Sequence, residues 1–215
     1  EAIKNYANHF FDTANLSDEE IVVLTESHQL DILVDLQGHT SANRLHLWQL
    51  RLAPLQITGL AYPPATGLST IDYKMVDVHM VSKGSAAYYT ERQMIMPNSF
   101  WCFDPKEEAP FVKAPPYIKN GYITLGCLGN AAKITPAIML AWSRILKEVS
   151  SVRLLVVSHS FGESVTEDAF RARLQDFSIP LNIVECKASI PRDQLWQLYQ
   201  EIDMVLDTFP FNGGT

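Results

Sequence analysis

Cysteine is scarce in this chain, and the three that occur, Cys102, Cys127 and Cys186, lie far apart with no C-x-x-C pair among them. Such spacing excludes a zinc ribbon and a disulfide framework, and it fits a reducing, cytoplasmic setting. Long apolar runs are missing too. None approaches the ~18 residues that suggest a membrane span, and Glu1-Ala2-Ile3-Lys4 has no feature of a secretory leader, so no membrane association is expected. Positive charge is in short supply: 17 Lys and Arg against 24 Asp and Glu leave a formal net charge of -7. A chain with that balance has no basic field for a polyanion, so nucleic acid is not an expected partner and any anionic ligand must be held by local cations. The G-x-x-x-x-G-K-[ST] loop of phosphate-binding ATPases is absent. So is the G-x-S-x-G elbow, which removes the hydrolase reading that Ser158 and Ser160 invite. His9, His28, His46 and His79 show no metal-ligand spacing, and no metal or cofactor is expected.

What is present is enough apolar matter for a folded α/β chain: 47% of the 215 residues are hydrophobic. Asp31 to Leu36 reads as a buried strand, and Gln37-Gly38-His39-Thr40 turns into a helix bearing Leu45, Trp48 and Leu50. Strands follow at Ile57 to Leu60, Tyr73 to Val76 and Gln93 to Met96, with a helix candidate around Ser85 to Glu91 and a break at Tyr62-Pro63-Pro64. Ser17 is placed to cap an early scaffold helix carrying Ile21 and Leu24. Residues 1–100 therefore form one strand–helix domain entered partway through a unit, residues 101–119 a proline-rich linker, and residues 120–215 a second domain. In the second, strands at Tyr122 to Leu125, Val152 to Ser158 and Met204 to Leu206 alternate with helices. The best marked helix starts at Thr135-Pro136, with Ile138, Ala141, Trp142, Ile145 and Val149 on one face.

Ligand loops in such folds lie at the carboxyl ends of the strands. Lys133 stands between a strand and a helix start, after Gly126 and Gly129, where an ammonium could neutralise a diphosphate with help from the helix terminus; position alone favours a solvated surface lysine. Asn212 and Gly213, continuing into Gly214 and Thr215, follow the last strand, and backbone N–H groups there could approach an anion, although a plain turn reads the same way. His39 reads as a base, a ligand contact or a polar cap, and His159 has the same standing.

Two segments carry a family resemblance. Asp31-Ile32-Leu33-Val34-Asp35-Leu36-Gln37-Gly38-His39-Thr40, followed by Arg51-Leu52-Ala53-Pro54-Leu55-Gln56, Leu60-Ala61-Tyr62-Pro63 and Ile71-Asp72-Tyr73, resembles the D-I-L-V-D-L-x-G-[HY]-T, R-P-A-P-[IV]-Q and L-G-Y-P motifs of the O-GlcNAc transferase and SPINDLY group. Leu206-Asp207-Thr208-Phe209-Pro210-Phe211 is similar to that group's L-D-T-F-P-Y. The resemblance implies a GT-B architecture: two Rossmann-like domains with parallel sheets, the first incomplete at its N-terminus and the second at its C-terminus, with a UDP-sugar in the cleft. It implies transfer of a sugar, with N-acetylglucosamine the leading choice, to protein Ser or Thr hydroxyls with inversion. The alternatives are a non-catalytic nucleotide-binding fragment, an N-glucosyltransferase and a glycan-building enzyme. Partners implied are the UDP-sugar donor, a protein or peptide acceptor, and tetratricopeptide repeats upstream.

Residue by residue, the resemblance assigns Lys133 to the leaving diphosphate with Asn130 beside it. It assigns Leu60, Ala61, Tyr62 and Pro63 to the sugar, Ile190 and Arg192 to uridine, and Gly214 and Thr215 to the diphosphate and ribose. Ala61 departs from the usual glycine, and Leu195 stands where a uracil-stacking histidine is common. The family's H-P-x-x-H segment would lie before Glu1, so the chain is expected to be an incomplete catalytic unit.

Overall fold

The computed structural model describes residues 3–60, 62–102 and 114–213, with Arg192 and Asp193 described by their backbone alone. The chain divides into two compact units, residues 1–104 and 105–215. Each is built on a four-stranded, wholly parallel sheet, as the α/β reading expects.

In the first unit, helix α1 (Asp18–Ser27) opens with the predicted cap: Ser17 Oγ accepts from Glu20 N at 3.2 Å while the Glu20 carboxylate accepts from Ser17 N at 2.7 Å. Strands β1 (Ile32–Asp35), β2 (Leu55–Thr58), β3 (Tyr73–Asp77) and β4 (Arg92–Met96) then lie side by side in sequence order. Two expectations are corrected here. The strand read as buried, β1, pairs with β2 among the described residues, and its Ile32 is 53% and its Val34 45% exposed, because the described residues leave the face these two share largely uncovered. The crossovers expected to be helices are short 3-10 turns at Leu45–Leu50 and Ser85–Tyr88. The first is stopped by Arg51 in the left-handed region at φ 54°, and the second has few residues left before β4 begins.

The second unit contains α2 (Pro116–Asn120), β5 (Ile123–Leu128), α3 (Pro136–Glu148), β6 (Val152–Val157), α4 (Ser164–Asp176), β7 (Val184–Lys187), α5 (Arg192–Tyr199) and β8 (Met204–Val205). The end of the expected linker is thus helical, and α2 is tied to the sheet where Tyr117 N donates to Asp203 Oδ1 at 2.8 Å. Spatial order is β7-β6-β5-β8. The central strand β6 is buried on both faces: Leu154 and Val156 enter one apolar cluster with Trp142, Phe170 and Leu174, and Leu155 and Val157 enter another with Leu198 and Ile202. Helix α3 begins as predicted, with Thr135 Oγ1 accepting from Ile138 N and Pro136 in the first turn. Its buried face is rotated from the expected one, however. Met139 and Ser143 are buried with Ile138 and Trp142, whereas Ile145 is 41% exposed. Gly126 takes a packing role rather than an open one. It lies inside β5, and a Cβ built on it would come 2.5 Å from Ile202 Cδ1. This glycine lets Ile202, at the foot of β8, close against β5.

Candidate functional site

In the second sheet the chain runs outward in one direction from β5 through β6 to β7, then returns to place β8 on the other side of β5. The order reverses between β5 and β8, and in open parallel sheets a ligand crevice lies outside the carboxyl ends of the strands at such a reversal. Lys133 follows β5 and Asn212 follows β8. Their meeting spans this point: Lys133 Nζ donates to the Asn212 carbonyl at 3.0 Å and sits 4.4 Å from the centre of the Phe211 ring.

The loop that delivers Lys133 is fully determined by its own hydrogen bonds. Gly129 adopts φ 153°, Asn130 Oδ1 accepts from Ala132 N at 2.9 Å, and Lys133 N donates to the Asn130 carbonyl at 3.0 Å. Ala131 N donates to the buried Ser158 hydroxyl at 3.0 Å, and that hydroxyl lies 2.9 Å from Ser160 Oγ. Ile134, 1% exposed, then pins the segment to the core before α3 starts. Asn130 is therefore a local cap as well as a neighbour of the cavity described below. With the Ala131, Ala132 and Lys133 N–H groups committed within the chain, an anion arriving here meets chiefly the ammonium group and the field of α3's N-terminus.

Across from it, Asp207 organises the turn after β8. Its Oδ1 accepts from Thr208 N and Gly213 N, both at 2.8 Å, and its Oδ2 from Asn212 Nδ2 at 3.2 Å, while Thr208 Oγ1 donates to the Phe211 carbonyl at 2.7 Å. The Gly213 N–H bond above all, with Asn212, Thr208 and the field of Lys133, holds the Asp207 carboxyl below its ordinary acidity range against a partial desolvation cost. This corrects one expectation: the Gly213 N–H is bound to Asp207 and does not stand open toward an anion. Gly214 and Thr215 lie outside the described residues.

A cavity of about 340 Å³ opens beside Lys133's loop, lined by Gly129, Asn130, His159, Ser189, Ile190 and Leu195 among others. It gathers the ends of β5, β6 and β7. Ile190, Leu195 and His159, singled out from sequence, converge there. Ser189 was missed, although its place just after β7 is a signal that a fuller strand assignment would have supplied. The side chain of Arg192 lies outside the described residues. A larger cavity of about 580 Å³ is lined by Tyr122, Thr124, Arg153 and Glu185, toward the opposite end of the strands. The smaller one lies where the fold puts ligands.

The first unit holds its own cluster. His39 Nε2 donates to the Thr66 carbonyl at 2.7 Å, and its ring meets Tyr62 edge-on at 5.4 Å. Gly38, at φ 53°, backs onto Tyr62 so closely that a Cβ would come within 2.5 Å of Tyr62 Cβ. Leu60 occupies the left-handed region at φ 64°, a conformation costing a non-glycine residue about 1–3 kcal/mol, and half-buried Pro63 follows Tyr62. Ala61 is outside the described residues. Sequence reading missed the group beneath this loop: Lys74, in the middle of β3, is 1% exposed and donates to the Tyr62 carbonyl. Burial lowers its basicity, with the fields of Glu91 and Asp35 opposing the shift. The signal was available, since a lysine inside the strand Tyr73-Lys74-Met75-Val76 breaks an otherwise apolar pattern and a buried lysine needs partners.

Residues 1–121 match the family model described as glycosyl transferase family 41. The protein named "probable UDP-N-acetylglucosamine–peptide N-acetylglucosaminyltransferase SPINDLY" from Hordeum vulgare is 36% identical over 206 residues, covering 95% of this chain and 22% of its own length. Its Arabidopsis thaliana counterpart is 34% identical over the same span, and the SEC protein of Arabidopsis thaliana is 26% identical over 160 residues. Among solved structures, a lysine-to-methionine mutant of the Thermobaculum terrenum O-GlcNAc transferase superposes with a TM-score of 0.89 at 28% identity, covering 98% of this chain and 40% of that one. The chain thus spans about a fifth of the length of the curated relatives it matches. The α/β, GT-B-type fold class agrees with this likeness.

Proposed function

Since the chain belongs to glycosyl transferase family 41, we propose that it is the donor-handling part of a UDP-sugar-dependent protein glycosyltransferase, moving N-acetylglucosamine to Ser or Thr hydroxyls of a protein or peptide acceptor with inversion. The supporting observation is the Lys133 ammonium held at the β5–β8 reversal, beside a cavity whose size and polar rim suit a nucleoside. One donor hydrogen of that ammonium is occupied by the Asn212 carbonyl, leaving two for a diphosphate.

In this reading the acceptor hydroxyl oxygen attacks the anomeric carbon as the bond to the diphosphate breaks. Lys133 stabilises the negative charge that grows on the departing UDP, an interaction strongest in the transition state. Asn130 shapes the loop beneath the diphosphate. Ile190 lies against the base, with Arg192 assigned beside it, and Asn212, Gly214 and Thr215 are assigned to the diphosphate and ribose. Leu60, Ala61, Tyr62, Pro63 and His39 are assigned to the sugar. Upstream tetratricopeptide repeats and a cytoplasmic setting complete the proposal; no helix among the described residues is long and apolar enough to cross a membrane.

Calorimetric titration of UDP into the full-length gene product, with and without Lys133→Ala, tests the reading. A charged hydrogen bond is worth about 1.5–3 kcal/mol, so the variant should bind roughly 10- to 150-fold more weakly. Equal affinity in the two proteins would defeat the role given to Lys133. Mass spectrometry of acceptor proteins incubated with several UDP-sugars then identifies sugar and acceptor, and the absence of any mass addition to protein would overturn the transfer itself.

A further inference from the structure

Lys74 is 1% exposed and lies under the loop that carries Tyr62. Its ammonium donates to the Tyr62 carbonyl, two residues beyond Leu60 in its left-handed conformation. Two acidic side chains bear on it electrostatically, and each is hydrogen-bonded into one of those loops. Asp35 accepts from Gln37 N at 3.0 Å and Gly38 N at 2.9 Å, and from the Thr58 hydroxyl at 2.7 Å. Glu91 accepts from Thr66 N at 2.7 Å and from the Thr66 hydroxyl. Thr66 in turn receives the His39 Nε2 proton on its carbonyl. One buried cation therefore sits where the Gly38–His39 turn, the Tyr62–Thr66 loop and the start of β4 are joined.

We propose that Lys74 is a positioning residue for this cluster: by its hydrogen bond to the Tyr62 carbonyl it holds the loop whose Tyr62 ring and Thr66 carbonyl both meet His39, and so fixes the orientation and tautomer of that histidine. The inference is drawn from geometry within the first unit, and its bearing on transfer rests on the glycosyltransferase reading above. Three features point to placement rather than mere filling of space. An apolar side chain would fill the same volume in β3 without the cost of desolvating an ammonium. The contact it makes is to a loop carbonyl rather than to the sheet. And His39 is held at Nε2 by a carbonyl that can only accept, so Nε2 is the ring nitrogen that carries a proton in that contact.

The test compares the full-length protein with its Lys74→Met, Lys74→Arg and Glu91→Gln variants. Nitrogen-15 spectra of the histidines read the His39 tautomer directly, calorimetry reads UDP binding in the second unit, and steady-state transfer reads kcat and KM separately. Lys74→Met should lose the single Nε2-protonated signature of His39 and drop kcat by at least tenfold, while UDP affinity stays within about twofold. Lys74→Arg should restore the signature and part of kcat, and Glu91→Gln should disturb both less than Lys74→Met does. An unchanged His39 signature with unchanged kcat overturns the proposal. So does loss of UDP binding in step with kcat, or failure of both Lys74→Met and Glu91→Gln to fold, since each marks a purely structural cation. If the wild-type protein binds no UDP, the glycosyltransferase reading fails while the His39 spectra still decide the role of Lys74.

Discussion

Replacing Gly126 with alanine should push β8 off β5 and loosen the Lys133–Asn212 contact through packing alone. The new methyl carbon would lie 2.5 Å from Ile202 Cδ1 and 2.9 Å from both Cγ1 and Cγ2, three contacts well inside van der Waals distance. Over-packing of this kind costs about 1–3 kcal/mol. Alanine also narrows the unfolded ensemble and returns about 0.4–1 kcal/mol at a position whose backbone accepts it, so a net loss of up to about 2.6 kcal/mol is expected. The three nearest atoms all belong to one side chain, which makes their part of the strain separable. Ile202→Ala deletes all three clashing atoms and by itself costs about 2–5 kcal/mol as a buried isoleucine truncation. In that background Gly126→Ala fills part of the space left behind and should be neutral or stabilising, giving a coupling of about 1–3 kcal/mol between the sites. Native-state hydrogen exchange of peptides covering β5 and β6 measures the second unit by itself, which matters in a chain of two compact units. Because Leu206 N donates to the Gly126 carbonyl at 2.7 Å, UDP affinity should fall in the single mutant and recover in the double. Equal cost of Gly126→Ala in both backgrounds would refute the packing account.

Other outcomes follow from the titratable groups. Cys127 and Cys186 are pushed up to about 11 by burial, whereas Cys102 is exposed; a thiol reagent at mildly alkaline pH should modify one cysteine quickly in the native protein and three after unfolding. Burial lowers the Lys74 pKa below its usual 10.5, so between that depressed value and 10.5 the unfolded chain binds more protons than the native one. Stability should rise with pH through that window, and the rise, read as urea midpoint against pH, should be missing in Lys74→Met. Asp77, which accepts from Phe100 N, Met80 N and His79 N, is held below its usual 3.8, and Asp207 likewise. Their contribution is present above 3.8 and is lost as pH falls through the native values, so Asp77→Asn should flatten the acid limb of the same curve.

What could be read from the sequence is what local rules determine. Ser17 with Glu20, and Thr135 with Pro136, announce helix starts because capping involves residues three apart in the chain. The strands after Tyr73 and Val152 announce themselves by composition. The place of Lys133, between a strand and a helix start, was legible in the same way, while its assignment to a diphosphate came from the resemblance. The exposure of β1 was not legible, because it depends on what packs over the faces of the sheet and not on Ile32-Leu33-Val34 themselves. Nor was the packing role of Gly126, whose partner Ile202 lies 76 positions away in sequence. Lys74 was legible as a lysine out of pattern in a strand, but its surroundings were not: they come from residues 35, 62 and 91, and only the fold brings them together.

The same distinction bears on how an anion is held in a chain of net charge -7. Glycine-rich loops suggest open backbone donors, yet here the Ala131 and Ala132 N–H groups go to Ser158 and Asn130, and the Gly213 N–H goes to Asp207. Those bonds commit the N–H groups within the chain and leave the Lys133 ammonium as the donor with hydrogens to offer: moving it from the Asn212 carbonyl to a phosphate oxygen would break one neutral-acceptor bond and form a charged one. On the proposed reading Asp207 has a second effect: its carboxylate would lower the net positive potential that an incoming diphosphate meets. Asp207→Asn should therefore be two-sided, weakening the turn through the loss of strong acceptors while raising the attraction of Lys133 for a polyanion. Measured as UDP affinity against salt, the variant should show a steeper salt dependence than wild type. An identical slope would mean that Asp207 and the bound diphosphate do not feel one another, and that the field at the β5–β8 reversal is set by Lys133 without it.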